Sequence, residues 1–148
     1  PEILFSELSR VLKSGGLLII STPNIQCFYS RFQFLCTGYL FQFDPFDNSP
    51  LKPNISGDKG HISPVSYSQL RYYSELHNLK TLSPSGGRLK RVLFAPLFLP
   101  FVLIGLWWSI RDWKRTSNDS NSFEIIRHLF NIRLLFSRSL IFKAIKNL

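Results

Sequence analysis

The chain of 148 residues is long enough for one modest hydrophobic core, and its net charge is +9. Residues 1–84 carry seven Lys or Arg and six Asp or Glu, whereas residues 85–148 carry eleven and three, so the second part holds the basic excess. The composition argues against a zinc site, because Cys27 and Cys36 form no ligand pattern with histidine. We expect both thiols to be reduced and buried. No phosphate-loop or catalytic-triad motif is present in the sequence.

The first predicted elements are a helix and a strand. An apolar stripe at helical spacing opens the chain, and Gly15 follows it where a helix end favours a left-handed residue. The stripe consists of Leu4, Phe5, Leu8, Val11 and Leu12. Residues 17–20 form a short apolar run before Pro23 and Asn24, which is typical of a strand buried on both faces of a parallel sheet. Together they predict the αβ half of a βαβ unit.

Residues 10–24, RVLKSGGLLIISTPN, resemble the second half of the class I S-adenosylmethionine-dependent methyltransferases. In that family, such a helix ends in Arg-Val-Leu-Lys-Pro-Gly-Gly before an apolar strand and Thr-Pro-Asn; here Ser14 takes the place of the proline. The resemblance implies an α/β, partial Rossmann-like methyltransferase fold, of which residues 1–83 would be the C-terminal part. An unrelated doubly wound αβ turn is the alternative.

The resemblance also implies S-adenosylmethionine as the cofactor. The family's glycine-rich turn and ribose-binding acid belong to its first two strands, and neither feature occurs in this sequence. The sequence contains no methionine, so we expect a natural segment upstream of Pro1 that holds the cofactor site. No cofactor-binding or metal-binding residue is assigned within the chain, and the isolated chain is predicted to be inactive.

The segment after the strand is predicted to be an aromatic helix, with Ile25, Phe28, Phe32 and Leu35 on one stripe. Core packing is the favoured interpretation of that stripe, and a lid over an apolar acceptor is the alternative that the resemblance implies. By that resemblance, the residues predicted to bind substrate are Thr22, Asn24, Phe28 and Phe32. For Asn24, a hydrogen bond to the acceptor and a cap for the next helix are equally favoured.

Residues 44–64 are rich in proline and glycine and predict a loop. Within it, His61 is the candidate catalytic base for a hydroxyl acceptor, although a structural role is the commoner one for a loop histidine. Ser66 and Gln69 then form a capping box, Asn78 is a left-handed helix end, and residues 79–82 predict a strand. This order resembles the same family at a second place.

Residues 83–91 predict a Gly/Ser hinge, and residues 92–110 follow with no charge over 19 positions. As a helix the uncharged run would measure about 28 Å, close to the hydrocarbon thickness of a bilayer. Basic and tryptophan side chains flank it, which indicates membrane contact through Arg91, Trp107, Trp108, Arg111 and Trp113. A buried core helix or a pair of strands is the alternative. Pro96 and Pro100 break ordinary soluble helices.

The membrane contact is predicted to be monotopic. A single crossing would place the later basic residues on the far side from a cytoplasmic αβ part, against the positive-inside tendency, whereas a kinked or surface-lying helix would not. Single-pass spanning stays the alternative. The tail over residues 123–148 is predicted to be one basic amphipathic helix that lies on the membrane or packs back on the domain. Residues 84–148 would thus form a hydrophobic and amphipathic helical extension.

The sequence therefore predicts a cytoplasmic, membrane-associated methyltransferase fragment. Its acceptor would be a small or lipid-linked molecule at the membrane surface, of lipid, quinone or glycan-precursor type. A non-enzymatic membrane-anchoring or interaction module that keeps an αβ remnant is the alternative. Nucleic-acid binding is not expected, because the basic residues flank an uncharged run instead of lining a face with stacking aromatics.

Overall fold

The fold is a mixed α/β arrangement whose central strand is the last one in the sequence. The computed structural model describes residues 1–43, 63–89, 92–116 and 119–147. In chain order, the elements are α1 (Glu2–Val11), β1 (Leu17–Pro23), α2 (Phe28–Thr37), α3 (Tyr67–Leu76), β2 (Leu79–Thr81), β3 (Ser85–Gly86), a 3₁₀ turn (Val92–Phe94), α4 (Ala95–Thr116), α5 (Ser120–Leu129), α6 (Ile132–Phe136) and β4 (Ser139–Lys146).

The four-stranded sheet has the order β1-β4-β2, and β3 also pairs with β4. All of these pairings are antiparallel: Leu17 lies opposite Ile145 in β4, and Leu79 of β2 lies opposite Lys146. The mixed α/β class is confirmed, but the prediction that β1 pairs within a parallel sheet is wrong for the described strands. The prediction that β1 is buried on both faces is also wrong, since Leu17 and Ile19 are more than half exposed.

The tail does not form the single amphipathic helix predicted over residues 123–148. It folds as two short helices and a strand, with α6 begun by Asn131, whose side chain accepts a hydrogen bond from the Arg133 backbone N–H. In β4 the buried residues Leu140, Phe142 and Ala144 alternate with partly exposed ones, which is the period of a strand. The tail is therefore the centre of the sheet, and the two predicted parts of the chain share that sheet.

The core lies between one face of the sheet and the helices α1 and α3. Phe5 of α1 packs edge-on against Phe142, with ring centroids 6.3 Å apart, and stacks on Tyr73 of α3. Lys146, at the end of β4, donates from Nζ to the carbonyl oxygens of Ser9 and Leu12 at 2.6 and 2.8 Å. These bonds satisfy carbonyl groups that the end of α1 would otherwise leave unpaired. The strand β4 therefore contributes side chains to the core and also stabilises the end of α1.

Several local predictions are confirmed. Asn78 directly follows the C-cap residue His77 of α3, and its φ angle of 59° is left-handed as predicted. Gly15 is also left-handed, with a φ angle of 75°, but the C-cap of α1 is the extended Leu12, so the prediction that Gly15 ends the helix is wrong. The capping box of Ser66 and Gln69 opens α3 with both reciprocal hydrogen bonds. The prediction of two buried thiols is wrong for Cys36, which is exposed on α2, and no disulfide joins it to the buried Cys27.

The described part of the predicted hinge, which reaches Leu89, is attached to the sheet at several residues. Ser85 and Gly86 pair with β4 as β3, and Leu89 forms a further bridge with Ser137. A Cβ atom on Gly86 would lie 2.5 Å from the Arg133 carbonyl oxygen and 2.6 Å from Ser137 Oγ, closer than real Cβ contacts allow. The hinge interpretation is therefore wrong for residues 85–89, where glycine permits close packing on α6.

We expect Gly86→Ala to lower the free energy of unfolding by about 2 kcal/mol, because the added methyl group must displace backbone. Gly87→Ala is the matched control: its nearest neighbour would be Ser139 Cβ at 3.6 Å, an ordinary contact. We expect that control to change stability by less than about 0.5 kcal/mol. Urea unfolding followed by circular dichroism measures both, and equal stabilities of the two variants would contradict the packing argument.

Candidate functional site

An apolar groove of about 400 Å³ lies between α2, the start of α4 and the connection from α6 to β4. Its volume falls within the range of small-molecule sites. Most of its lining is aromatic or aliphatic; the lining residues are Cys27, Phe28, Tyr29, Phe32, Phe41, Phe94, Leu97, Phe98, Leu135, Phe136, Ser137 and Arg138. The groove therefore offers an apolar ligand a preformed enclosure with few polar groups.

Three phenylalanine rings form one wall of this groove. The Phe28 ring stacks on Phe98 of α4 at a centroid distance of 4.5 Å and on Phe136 of α6 at 6.1 Å. Phe32 lies one helical turn after Phe28, on the same face of α2, and its ring is 6.5 Å from that of Phe98. Phe28 thus connects α4 and α6 through offset-stacked contacts of the kind aromatic pairs favour.

The position of α2 follows from the chain on either side of it. The helix begins after the N-cap residue Cys27, four positions beyond the end of β1, and ends at Gly38, whose φ of 78° is left-handed. This short connection places the first turn of α2 beside the carboxyl end of β1. In open α/β sheets, ligands bind at such strand ends.

Asn24 secures the base of the groove. Its side chain is 2% exposed, and its Nδ2 donates to the carbonyl oxygens of Leu134 at 2.6 Å and Ser137 at 3.0 Å. Its Oδ1 accepts from the Gln26 backbone N–H at 3.1 Å, and its own N–H donates to the Arg138 carbonyl at 2.9 Å. Asn24 therefore joins the end of β1 to the segment before β4. Because Cys27 is the N-cap of α2, the helix-capping interpretation of Asn24 is wrong.

The structure brings together two of the four predicted substrate residues. Phe28 and Phe32 line the groove, whereas Thr22 lies on β1 opposite Leu140 and does not line it. Asn24 lies beneath the groove, and its contacts there are with the chain itself; a role in binding the acceptor stays a prediction. The candidate base His61 and the candidate membrane residue Arg91 lie outside the described residues.

The aromatic stripe on α2 is not core over its whole length. Phe28 is half-buried, but Phe32 is 55% exposed and Leu35 is 81% exposed. The favoured core interpretation is therefore wrong for the second half of α2, whose apolar side chains lie on the surface. A surface helix beside a groove is the position that a lid would have.

The uncharged run forms a continuous helix that extends to Thr116, and none of the side chains of α4 is buried. Among the described helices, the one over Val92–Thr116 is long and apolar enough to cross a membrane, and an 18-residue window within it has a mean hydropathy of 2.0. Pro100 lies inside the helix without ending it, and Pro96 lies in the first turn, where its missing N–H costs no hydrogen bond. The alternatives of a buried core helix and a pair of strands are wrong for this segment.

The helix α4 has two different faces. One stripe is partly covered by protein: Phe98 meets Phe28, Gly105 lies under the ring of Phe130, and Trp113 packs on Phe123 with ring centroids 5.0 Å apart. The other face is exposed and almost entirely apolar, and it includes Leu93, Leu97, Phe101, Ile104 and Trp108. An exposed apolar patch of this extent is unusual on a protein surrounded by water and marks an interaction surface.

Three of the predicted membrane-contact residues lie at the carboxyl end of that exposed face. Trp107 and Trp108 are exposed, and the Arg111 guanidinium lies 5.5 Å from the Trp107 ring centroid. Trp113 instead packs on α5, and its Nε1 donates to the Asp119 carbonyl oxygen at 2.8 Å. Trp113 therefore belongs to the partly covered face.

A second group of polar residues, which the sequence analysis missed, lies buried between α3 and α5. Tyr67 Oη and His128 Nδ1 are 2.6 Å apart, and Arg71 forms ion pairs with Glu75 at 2.7 Å and Glu124 at 2.9 Å. The partners are as far as 61 positions apart in the sequence, so no local spacing could have predicted them. These contacts hold α5, and through it the carboxyl end of α4, against the sheet.

The electrostatics of this polar group follow from its burial. Burial lowers the pKa of His128 from its usual 6.5, a shift that the positive charges of Arg127 and Arg71 reinforce and Glu124 opposes. Burial also raises the pKa of Tyr67, with the guanidinium of Arg71 acting in the opposite direction. Both side chains are therefore neutral at pH 7, and their hydrogen bond is a structural one.

No protein-family model matches the sequence, and no curated protein sequence matches it. Within residues 1–43, 63–89, 92–116 and 119–147, no group of His, Cys, Asp and Glu could hold a metal ion. The strand ends that the structure describes do not fit S-adenosylmethionine by themselves either. The strand end of β1 is followed by the buried Asn24 instead of a glycine-rich turn, and Gly86 is packed against α6.

We expect stability to fall as the pH drops below about 6.5, because the unfolded chain then protonates at His128 while the folded chain, with its lowered pKa, does not. The loss should level off once the pH passes the folded-state pKa. His128→Phe should reduce this pH dependence and cost about 1–2 kcal/mol at pH 7.5 through the lost hydrogen bond. Tyr67→Phe should also cost stability but retain the pH dependence, since it keeps the histidine. Urea titrations between pH 5 and 7.5 measure all three proteins, and equal slopes for wild type and His128→Phe would contradict the assignment.

Proposed function

We propose that this chain forms the acceptor-binding and membrane-docking part of a class I S-adenosylmethionine-dependent methyltransferase whose acceptor lies at a membrane surface. The observation that carries the proposal is the apolar groove beside the carboxyl end of β1, lined by Phe28 and Phe32 and bordered by the exposed helix α4. A methyltransferase with a lipid-like acceptor requires an apolar enclosure at that end of its sheet and access to the bilayer.

The strand directions support the proposal. Because β1 and β2 are each antiparallel to β4, they run parallel to one another, and the segment containing α2 and α3 connects them. Parallel strands need such a helical crossover, and doubly wound sheets commonly carry an antiparallel strand. The arrangement therefore supports the proposal that residues 1–83, together with β4, form the C-terminal part of a Rossmann-like domain.

The proposal assigns the described residues to the acceptor side of the reaction. Methyl transfer depends mainly on holding the acceptor in line with the activated methyl group, which S-adenosylmethionine supplies when it is bound. The groove would fix the position of the acceptor, Asn24 stays a candidate for binding it, and His61 stays the candidate base. No residue of the chain is assigned to the cofactor.

The connectivity around α4 favours membrane contact along the helix instead of across the bilayer. The helix measures about 33 Å, so a crossing would carry Thr116 through a core about 30 Å thick. Yet α5 begins at Ser120, and His128 on it reaches Tyr67 in the body of the protein. A helix of ten residues covers only about 15 Å, too little to return across the bilayer. We therefore place α4 in the plane of one leaflet, with the body on the same side as both helix ends.

Basic side chains support the same orientation. Arg88 precedes α4, and Arg111, Lys114 and Arg115 lie at its other end; all four are exposed. Such residues attract the anionic headgroups of a cytoplasmic leaflet, each contributing about 1 kcal/mol near the surface. With the helix in the plane, both basic groups remain on the same side, in agreement with the positive-inside tendency.

A non-enzymatic membrane-anchoring module is the second candidate. It is favoured by the lack of a glycine-rich turn after the described strands, which leaves the chain without a cofactor site of its own. Both candidates bind membranes, so vesicle binding does not separate them.

The coding DNA upstream of the Pro1 codon separates the two candidates. For the methyltransferase, we expect an in-frame buried strand, a Gly-x-Gly turn and an acidic residue that ends the next strand. A stop codon or an unrelated domain there would favour the anchoring module. As a biochemical complement, the purified 148-residue chain should transfer no methyl group from S-adenosylmethionine, and activity of that chain alone would contradict the proposal.

A further inference from the structure

We propose that the groove between α2 and α4 is the binding site for the hydrocarbon chain of a lipid that enters it directly from the bilayer. The inference rests on the proposed function, in which this lipid is the methyl acceptor, but it concerns a binding step that can be measured without any reaction. The occupant is a membrane lipid with a long acyl or prenyl chain.

The lining of the groove is chemically suited to a hydrocarbon chain. Apart from Ser137 and Arg138, the side chains that line the groove are aromatic, aliphatic or thiol groups. The stacked rings of Phe28, Phe98 and Phe136 present a continuous apolar wall. Such a surface has few groups that could hydrogen-bond to water or to a polar ligand, so filling it with a hydrocarbon chain is favourable.

The groove opens onto the surface that the proposed orientation turns toward the membrane. Phe32, Phe94 and Leu97 line the groove and are each more than half exposed. Leu97 also belongs to the exposed stripe of α4 that the proposed orientation places in the leaflet. A lipid chain could therefore pass from the bilayer into the groove without crossing water, which identifies the bilayer as its source.

The inner end of the groove lies close to the carboxyl end of β1. Leu135 and Phe136 are buried residues of the lining. On either side of them, the carbonyl oxygens of Leu134 and Ser137 accept hydrogen bonds from Asn24, which follows the end of β1. The polar lining residues Ser137 and Arg138 immediately precede β4 at that same place. A lipid whose chain occupies the groove would thus have its polar end beside the strand end where the proposal places the reaction.

The test uses the full chain bound to vesicles that contain a phosphatidylcholine with a diazirine on one acyl chain. After photolysis, mass spectrometry should find crosslinks on Phe28, Phe136 and other groove residues that do not belong to α4. Crosslinks confined to the exposed face of α4 would overturn the proposal. Labelling of the groove by a soluble diazirine fatty acid in detergent, without labelling from vesicle lipid, would overturn the bilayer as the source.

A pair of variants on α2 sharpens the test. Phe32→Asp should reduce groove labelling at least about tenfold, because it places a carboxylate in the apolar mouth. Phe34→Asp is the matched control: it makes the same change on the same helix at a similarly exposed residue that does not line the groove. Equal labelling of the two variants would overturn the proposal. The labelling experiment measures no methyl transfer, so its result is independent of the proposed function. If the groove is labelled but the upstream coding sequence is unrelated, the methyltransferase proposal fails and the lipid-site proposal stands.

Discussion

The pairing of β4 between β1 and β2 constrains everything that lies between β2 and the end of the chain. After leaving the sheet at β3, the chain must form the long apolar helix and still return to the centre of the same sheet. It returns through α5, which the Tyr67 and His128 hydrogen bond and the Arg71 and Glu124 ion pair attach to α3. Both ends of α4 are therefore tied to one body, and this constraint, more than the hydropathy of the helix, determines how it could meet a membrane.

The same constraint creates the groove. Because the chain enters β4 from α6, the segment over residues 134–138 passes close to the end of β1, where Asn24 holds it by two side-chain hydrogen bonds. The start of α4 then lies against α2, and the Phe28 ring fills the space between Phe98 and Phe136. An apolar cavity, a strand end and an exposed apolar helix thus meet at one place. The proposed uptake of a lipid-like acceptor from the membrane surface rests on this arrangement.

Local signals in the sequence predicted the elements that depend on local interactions. The capping box at Ser66, the left-handed Asn78 at the end of α3 and the apolar run of α4 were predicted correctly. The structure of the tail was not predicted correctly, because Ile132, Phe136 and Leu140 also fit a helical stripe. Residues 139–146 are extended only because they pair with two strands that are distant in the sequence. Phe28 and Phe32 were predicted for the site by family resemblance, whereas the groove itself depends on Phe98 and Phe136, whose approach to Phe28 is a tertiary event.

The orientation of α4 determines how the protein meets a membrane, and the depth of single tryptophans in the bilayer measures that orientation. The three native tryptophans, Trp107, Trp108 and Trp113, all lie on α4. Changing Trp107 and Trp113 to Phe leaves Trp108 as the first probe. Leu93→Trp and Phe101→Trp, each in a background without native tryptophan, supply two more. Quenching by lipids brominated at different acyl depths should place the three probes at one depth, although they extend over about 22 Å of helix. If the probe at position 101 lies near the bilayer centre and the probes at positions 93 and 108 both lie near the headgroups, α4 crosses the bilayer, and its placement in the plane of one leaflet is contradicted.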